Sequence, residues 1–348
     1  MKQITLLVVA FLLLLTFSAC GNTNAPQQAV ETPAETEQAP AEQAPAEPTN
    51  EERIDISIGV LNGATGISVA ALMEEARTDS TFHRYHFTVG TAPDQVAAML
   101  VSGEIQIAAL PTNLAATLYQ RTEGGVQMIA LTTWGVLHIL ENGDSISEIA
   151  DLRGQTIHTT GEGANPEFIL NHILIEHGLI PGQDVTVEFH PNEALASLMA
   201  SGEIHIAMVP EPMASSILMQ NSDVRRVIDV TEAWRELGDG SELAMSAFVA
   251  RRDFVEEHEV AVWRFLSDLH RSIAEAHNHP VRVGELIAYF DILPNAQIAT
   301  AAIPYCNLTF KEGLWMQPII MGYFEVLYRA NPQAIGGALP SENFFLIP

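Results

Sequence analysis

The sequence predicts an α/β protein built from two doubly wound lobes joined by hinge strands. Two observations carry this expectation. From Ile54 onward, short β-branched runs alternate with segments of helical apolar period, the pattern of a mostly parallel sheet covered by helices on both faces. One such unit also occurs twice. Residues 97–118 (AAMLVSGEIQIAALPTNLAATL) and 196–217 (ASLMASGEIHIAMVPEPMASSI) lie ninety-nine positions apart and are identical at nine of twenty-two places, so one supersecondary unit has been used for each half.

The first segment sets the compartment. Met1-Lys2 supplies a positive start, residues 4–17 are almost unbroken apolar sequence, and Ser18-Ala19-Cys20 follows. The run is too short to span a bilayer and ends in small residues, which predicts a signal peptide over residues 1–20. The cysteine resembles that of a bacterial lipobox, with Phe17 where Leu is usual. The resemblance implies lipidation at Cys20 and attachment to a membrane through it. Residues 21–53 are mostly Pro, Ala, Glu, Gln and Thr, including EQAPAEQAPAEP, with almost nothing to bury. They are expected to be a disordered, solvated tether stiffened by proline.

The remainder, nearly 300 residues, is long enough for two lobes. The first unit reads ISIGVL, GISVAALMEEA, HFTVG, PDQVAAMLVS, IQIAAL and NLAATLY; the second reads TIHTT, PEFILNHILIEHG, VTVEF, NEALASLMAS, IHIAMV and MASSILM. Gly103 and Gly202, in the two SGE turns, suit left-handed helix ends. MSAFVARRDF returns the chain as a strand, and amphipathic helices are expected near 257–276, 282–289 and 312–329. Crossings near 131–141 and 241–250 would be the hinge strands. The expected division is 54–135 with 247–348 as lobe 1 and 136–246 as lobe 2.

Ligands of open α/β sheets bind beyond the carboxyl ends of the strands, often between domains. That rule selects Asn62 and Thr65 after the first strand, Thr112 and Asn113 after the third, and Glu162, Asn165, His190 and Glu211 at the equivalent ends of the second unit. Trp134, in the crossing, offers a stacking surface. The repeat aligns Thr112 with Glu211 and Asn113 with Pro212, so the two loops should face the cleft and grip two ends of an asymmetric molecule. Glu211 would accept hydrogen bonds or pair with a positive group, unless it caps the following helix. These loops contain no Lys or Arg, which favours a neutral, zwitterionic or cationic organic solute over a strongly anionic one. An anion would depend on helix-start amides.

Composition excludes other classes. With 43 acidic and 16 basic residues the net charge is −27, which argues against nucleic acid as a partner. Once Cys20 is assigned to the anchor only Cys306 remains, so no internal disulfide can form. Neither His83 with His86 nor His277 with His279 stands on the expected cleft with acidic partners, so no metal is expected there. His158 and His205 read as satisfied strand residues. No nucleophile elbow, zinc-protease, P-loop or dinucleotide motif occurs, and neither catalytic residues nor a cofactor are expected.

The loop NGATG, SGEIQIAALPTN, TTWGVLHIL, ISEIADLRGQTIHTTGEG, MVPEPMASSIL, IPYCNLTF and GALPSENFF together resemble the SsuA-like group of ABC solute-binding proteins, the nitrate, sulfonate and thiamine-precursor family. The resemblance covers residues 54–348. It implies a type II periplasmic-binding-protein fold, capture of a small solute between lobes by a monomer, and delivery to an ABC permease with its cytoplasmic ATPase. It does not name the solute. Enzymes of the menaquinone and thiamine-pyrimidine pathways share the architecture, and a lipoprotein that senses a ligand without transporting it would look the same. The export signal speaks against the enzymes, which act on cytoplasmic intermediates.

Overall fold

In the first unit, β1 (Asp55–Leu61), α1 (Ala64–Arg77), β2 (Arg84–Gly90), α2 (Pro93–Ser102), β3 (Ile107–Pro111) and α3 (Thr112–Arg121) alternate as expected. Ile56, Ile58 and Val60 of β1 are fully buried, the period of a strand with one face in the core. Pro93 starts α2, and Gly103 ends it in the left-handed conformation at φ 83°. These features come from a computed structural model that describes residues 52–238 and 240–347. The expected signal peptide, Cys20 and nearly all of the tether lie outside those residues.

The chain continues through β4 (Val126–Thr133) and β5 (Leu137–Asn142) into the second unit: β6 (Thr156–Thr159), α4 (Asn165–Glu176), β7 (Thr186–Phe189), α5 (Asn192–Ser201), β8 (Ile206–Pro210) and α6 (Met213–Gln220). Then come β9 (Val224–Asp229), α7 (Val230–Glu236) and β10 (Ser246–Arg251). The last part holds α8 (Arg252–Glu257), α9 (Glu259–Asn278), α10 (Pro280–Tyr289), α11 (Ala296–Ala302), β11 (Leu308–Lys311) and α12 (Gly313–Ala330). In α9, Val262, Phe265, Leu266, Leu269, Ile273 and Ala276 are buried, an apolar stripe at helical spacing.

Two sheets result, ordered β11-β4-β10-β3-β1-β2 and β7-β6-β8-β5-β9. Within each, three strands run parallel: β2, β1 and β3 in the first, β7, β6 and β8 in the second. The next strand is antiparallel and comes from the other half of the chain, β10 beside β3 and β5 beside β8. The two lobes therefore exchange a strand, and β9 takes in the second sheet the place that β4 has in the first.

The crossings differ from expectation. Residues 131–141 are not one strand: β4 and β5 belong to different sheets and are separated by Trp134-Gly135-Val136. A β-carbon on Gly135 would collide with Thr231 and Leu243, so the close approach of the two crossings requires glycine. Of 241–250, only residues from Ser246 onward form a strand. The preceding segment is pinned instead by hydrogen bonds: Met245 N–H donates to the Thr133 carbonyl at 3.0 Å, and the Thr112 hydroxyl donates to the Ala244 carbonyl at 2.7 Å. Thr231 Oγ1 and Asn307 Nδ2 both donate to the Gly135 carbonyl, at 2.9 and 2.6 Å. Among the described residues no helix is long and apolar enough to cross a membrane.

Candidate functional site between the lobes

The parallel strands of both sheets end toward one another. A β-carbon on Gly63, in the loop after β1, would lie 3.6 Å from Cδ of Pro212, in the loop after β8. This is the geometry that places a ligand between the carboxyl ends of two α/β sheets.

Most of the residues selected by that rule are occupied in holding the loops. Asn62 is exposed, and its N–H donates to the Gly90 carbonyl at 3.1 Å. Thr65 is buried, and its hydroxyl closes the turn by accepting from Leu61 N–H and donating to the Leu61 carbonyl. Thr112 corrects the expectation that it faces the cleft: it is fully buried, and its hydroxyl is spent on Ala244. The reason is that Pro111 pairs with Ser246 of the returning strand, which turns Thr112 toward the crossing. Asn113 is half-buried and donates to the Ala334 carbonyl at 3.4 Å. Trp134 is half-buried between the sheets, its N–H donating to the Asn307 carbonyl. Glu162 is exposed. His190 is half-buried and meets His158 rather than another cleft loop.

Glu211 does pair with a positive group, and that group is internal, Arg226 of β9. The Glu211 side chain is fully buried and that of Arg226 is 15% exposed. Ser215 N–H donates to the same carboxylate at 3.2 Å, so the helix-capping role is real as well. Burial pushes the Glu211 carboxyl above its ordinary value, with Arg226 and Ser215 opposing the rise. The Arg226 guanidinium lies 3.5 Å from the ring centre of Tyr305, a cation–π contact. His138 Nε2 faces the Tyr305 carbonyl at 3.3 Å. Burial and the nearby Arg226 hold the His138 imidazole below its usual value, with Asp229 opposing. Tyr305 follows α11, on the side of the first sheet, so this cluster ties the lobes together.

Asn165 stands apart from the other selected residues. It begins α4, is 6% exposed, and neither atom of its amide has a hydrogen-bond partner. Near it on α12 the buried Tyr323 hydroxyl is also unpartnered. Burial pushes the Tyr323 phenol far up, with Asn165 partly offsetting the rise. The Asn165 amide and the Tyr323 hydroxyl thus face one another. Tyr323 packs edge-on against Trp234 at 5.7 Å. Thr133 Oγ1, at the end of β4, is likewise buried without a partner, and His138 Nδ1, in β5, makes no hydrogen bond, with the Asp229 carboxylate 3.9 Å away. Native interiors rarely tolerate such groups, each of which costs about 1–3 kcal/mol when unmatched. Two of these groups, Thr133 and His138, flank the crossing at Trp134-Gly135-Val136.

Sequence reasoning missed Arg226, Tyr305 and Tyr323. The first was discoverable, since extending the repeat past α6 brings VRRVID to within one residue of VQMIAL and makes it a strand. Tyr323 reads as one more apolar residue of an amphipathic helix, and nothing in its spacing distinguishes it.

Comparison with known proteins agrees with this architecture. A family model described as NMT1/THI5 like matches residues 90–283. A search of curated proteins gives no match. Among solved structures, an ABC transporter protein from Parabacteroides distasonis is 22% identical with a TM-score of 0.71, over 84% of this chain and 98% of its own. The periplasmic aliphatic sulphonate-binding protein SsuA from Escherichia coli is 16% identical with a TM-score of 0.67, over 84% and 92%. The alkanesulfonate-binding SsuA from Xanthomonas axonopodis, bound to MOPS, is 14% identical with a TM-score of 0.60, over 83% and 96%. These identities speak to the fold, and the two-lobed architecture predicted from the SsuA-like motifs is the one they share. The family model spans more than half of the sequence and crosses both sheets, and on that ground the chain belongs to the NMT1/THI5-like family.

Proposed function

We propose that this protein is an extracytoplasmic solute-binding lipoprotein of an ABC importer, which closes its lobes on a small organic solute and delivers it to a permease served by a cytoplasmic ATPase. The observation that carries the reading is the set of buried, unpartnered polar groups beside the crossings, with Asn165 on α4 and Tyr323 on α12 at its centre. An amide and a hydroxyl can each donate and accept. Glu211 is already neutralised by Arg226. The chemistry therefore suits a neutral or zwitterionic solute carrying both donors and acceptors. Trp134 would contribute a flat surface, and Asn62 and Asn113 would line the entrance.

The lobes would be 54–135 with 247–348, and 136–246. The names of the similar structures, an ABC transporter protein and a periplasmic sulphonate-binding protein, support transport. The apolar run ending in Ser18-Ala19-Cys20 supports export and lipidation, which disfavours an enzyme acting on cytoplasmic intermediates. Native mass spectrometry of the protein as purified should reveal one small molecule bound per chain. A protein that neither carries a solute nor gains one from cell extract would count against the reading. For the anchor, Cys20→Ala should move the protein from washed membranes to the soluble fraction. Retention in the membranes would refute attachment through Cys20.

A further inference from the structure

A second site of different chemistry lies on the second sheet. His158 stands on β6, Glu188 lies directly across from it on β7, and His190 follows two residues later, at the carboxyl end of β7. His158 Nδ1 is 2.9 Å from His190 Nε2 and 3.5 Å from the Glu188 carboxylate. One donor atom from each of the three residues falls within 4.8 Å of the others. We infer that His158, Glu188 and His190 form a binding site for a divalent transition-metal ion, with zinc the best fit.

Donor atoms about 2.0–2.1 Å from a tetrahedral zinc are separated from each other by roughly 3.3 Å. The two separations measured from His158, 2.9 and 3.5 Å, bracket that value and the third lies within 4.8 Å, so side-chain rotations would bring the three donors onto one ion. Two imidazoles and one carboxylate are a borderline-soft set that suits zinc over magnesium or calcium. Three protein ligands also leave a fourth position open to water or another small ligand. The backbone holds the ligands in place: His190 N–H donates to the Thr159 carbonyl at 2.9 Å, and the β6–β7 register fixes His158 opposite Glu188.

Without metal, one imidazole can donate to the other, so the pair alone does not distinguish a ligand set from a structural hydrogen bond. Near neutral pH the untagged full chain, stripped with chelator and titrated with zinc chloride against a chromogenic competitor, should take up one ion per molecule with micromolar or tighter affinity. His190→Ala should weaken uptake by at least about 100-fold, more than the usual loss of an outer-shell partner. Glu188→Gln should weaken it by about tenfold. Cobalt(II) added instead of zinc should give intense visible absorption bands that His190→Ala abolishes. Both substituted positions are solvent-accessible to some degree, and metal-free thermal unfolding should match the wild type. Substitution of His277 and His279, which bond separately to the Leu308 carbonyl and to Glu275, should change nothing. Substoichiometric zinc at about 100 μM, or wild-type affinity in His190→Ala, would overturn the assignment while leaving the interlobe solute site untouched.

Discussion

Arg226→Met should destabilise the protein by about 3–5 kcal/mol, because it strands the fully buried Glu211 carboxylate without its counter-ion. That is a large share of the roughly 5–15 kcal/mol by which a folded domain exceeds its unfolded chain. The effect should depend on pH in a defined direction. Burial already raises the Glu211 carboxyl above its ordinary value of 4.5 even with Arg226 present, and removing the guanidinium raises it further. A carboxyl whose folded pKa exceeds its unfolded one gives its full stabilisation below the unfolded value and loses it as pH rises through the folded value. The gap between variant and wild type should therefore be widest near pH 7 and shrink as pH falls toward 4.5. Denaturant melts at a series of pH values measure this. The double variant Glu211→Gln/Arg226→Met should recover much of the loss, since a neutral pair leaves no uncompensated charge. A gap of less than about 1 kcal/mol, or one that widens on acidification, would mean that the pair is not the buried interlobe tie described above.

Tyr323→Phe and Asn165→Ala should have effects of opposite sign on binding and on folding. In the ligand-free protein each removes a buried polar group that has no partner, so stability should hold or rise by up to about 1–3 kcal/mol, less whatever the smaller alanine loses in packing. In the complex each removes a hydrogen bond to the solute, so affinity should fall by about 10–100-fold per substitution. Calorimetric titration with the co-purified solute, paired with thermal unfolding of the free variants, reads both signs. Tyr323→Phe is the cleaner case because the ring and its contact with Trp234 are kept. If both variants bind as the wild type does, the site lies elsewhere. If both unfold more easily without ligand, the two groups are structural.

The sequence alone reveals the scaffold better than the site, and the residues show why. The repeat locates α2, β3, α5 and β8, because each half must bury the same faces and end its helix in the same left-handed turn at Gly103 and Gly202. Loop positions followed from the rule for parallel sheets, which selected Asn165 at the start of α4. The rule fails for Thr112 because it carries no information on which strand lies alongside: the neighbour of β3 is β10, more than one hundred residues away in sequence. Glu211 was expected to pair with a positive group or cap the following helix, but the residue that supplies the charge was not foreseen. Its counter-ion belongs to β9, whose two arginines break the apolar alternation, and the aromatic face over that arginine comes from Tyr305. Long-range charge pairing of this kind leaves no local pattern. The metal question shows the same limit, since spacing drew attention to His83 with His86 and His277 with His279. The histidines that do converge, His158 and His190, are brought together only by the pairing of β6 with β7.

The central claim is that two lobes joined at narrow crossings close on a solute held between them. Its most direct test is small-angle scattering from residues 52–348, the unit that excludes most of the tether, with and without saturating co-purified solute. If the crossings around Gly135 and Met245 serve as hinges, the radius of gyration and maximum dimension should both fall on binding. Identical dimensions at saturation, with binding verified in the same sample, would contradict closure.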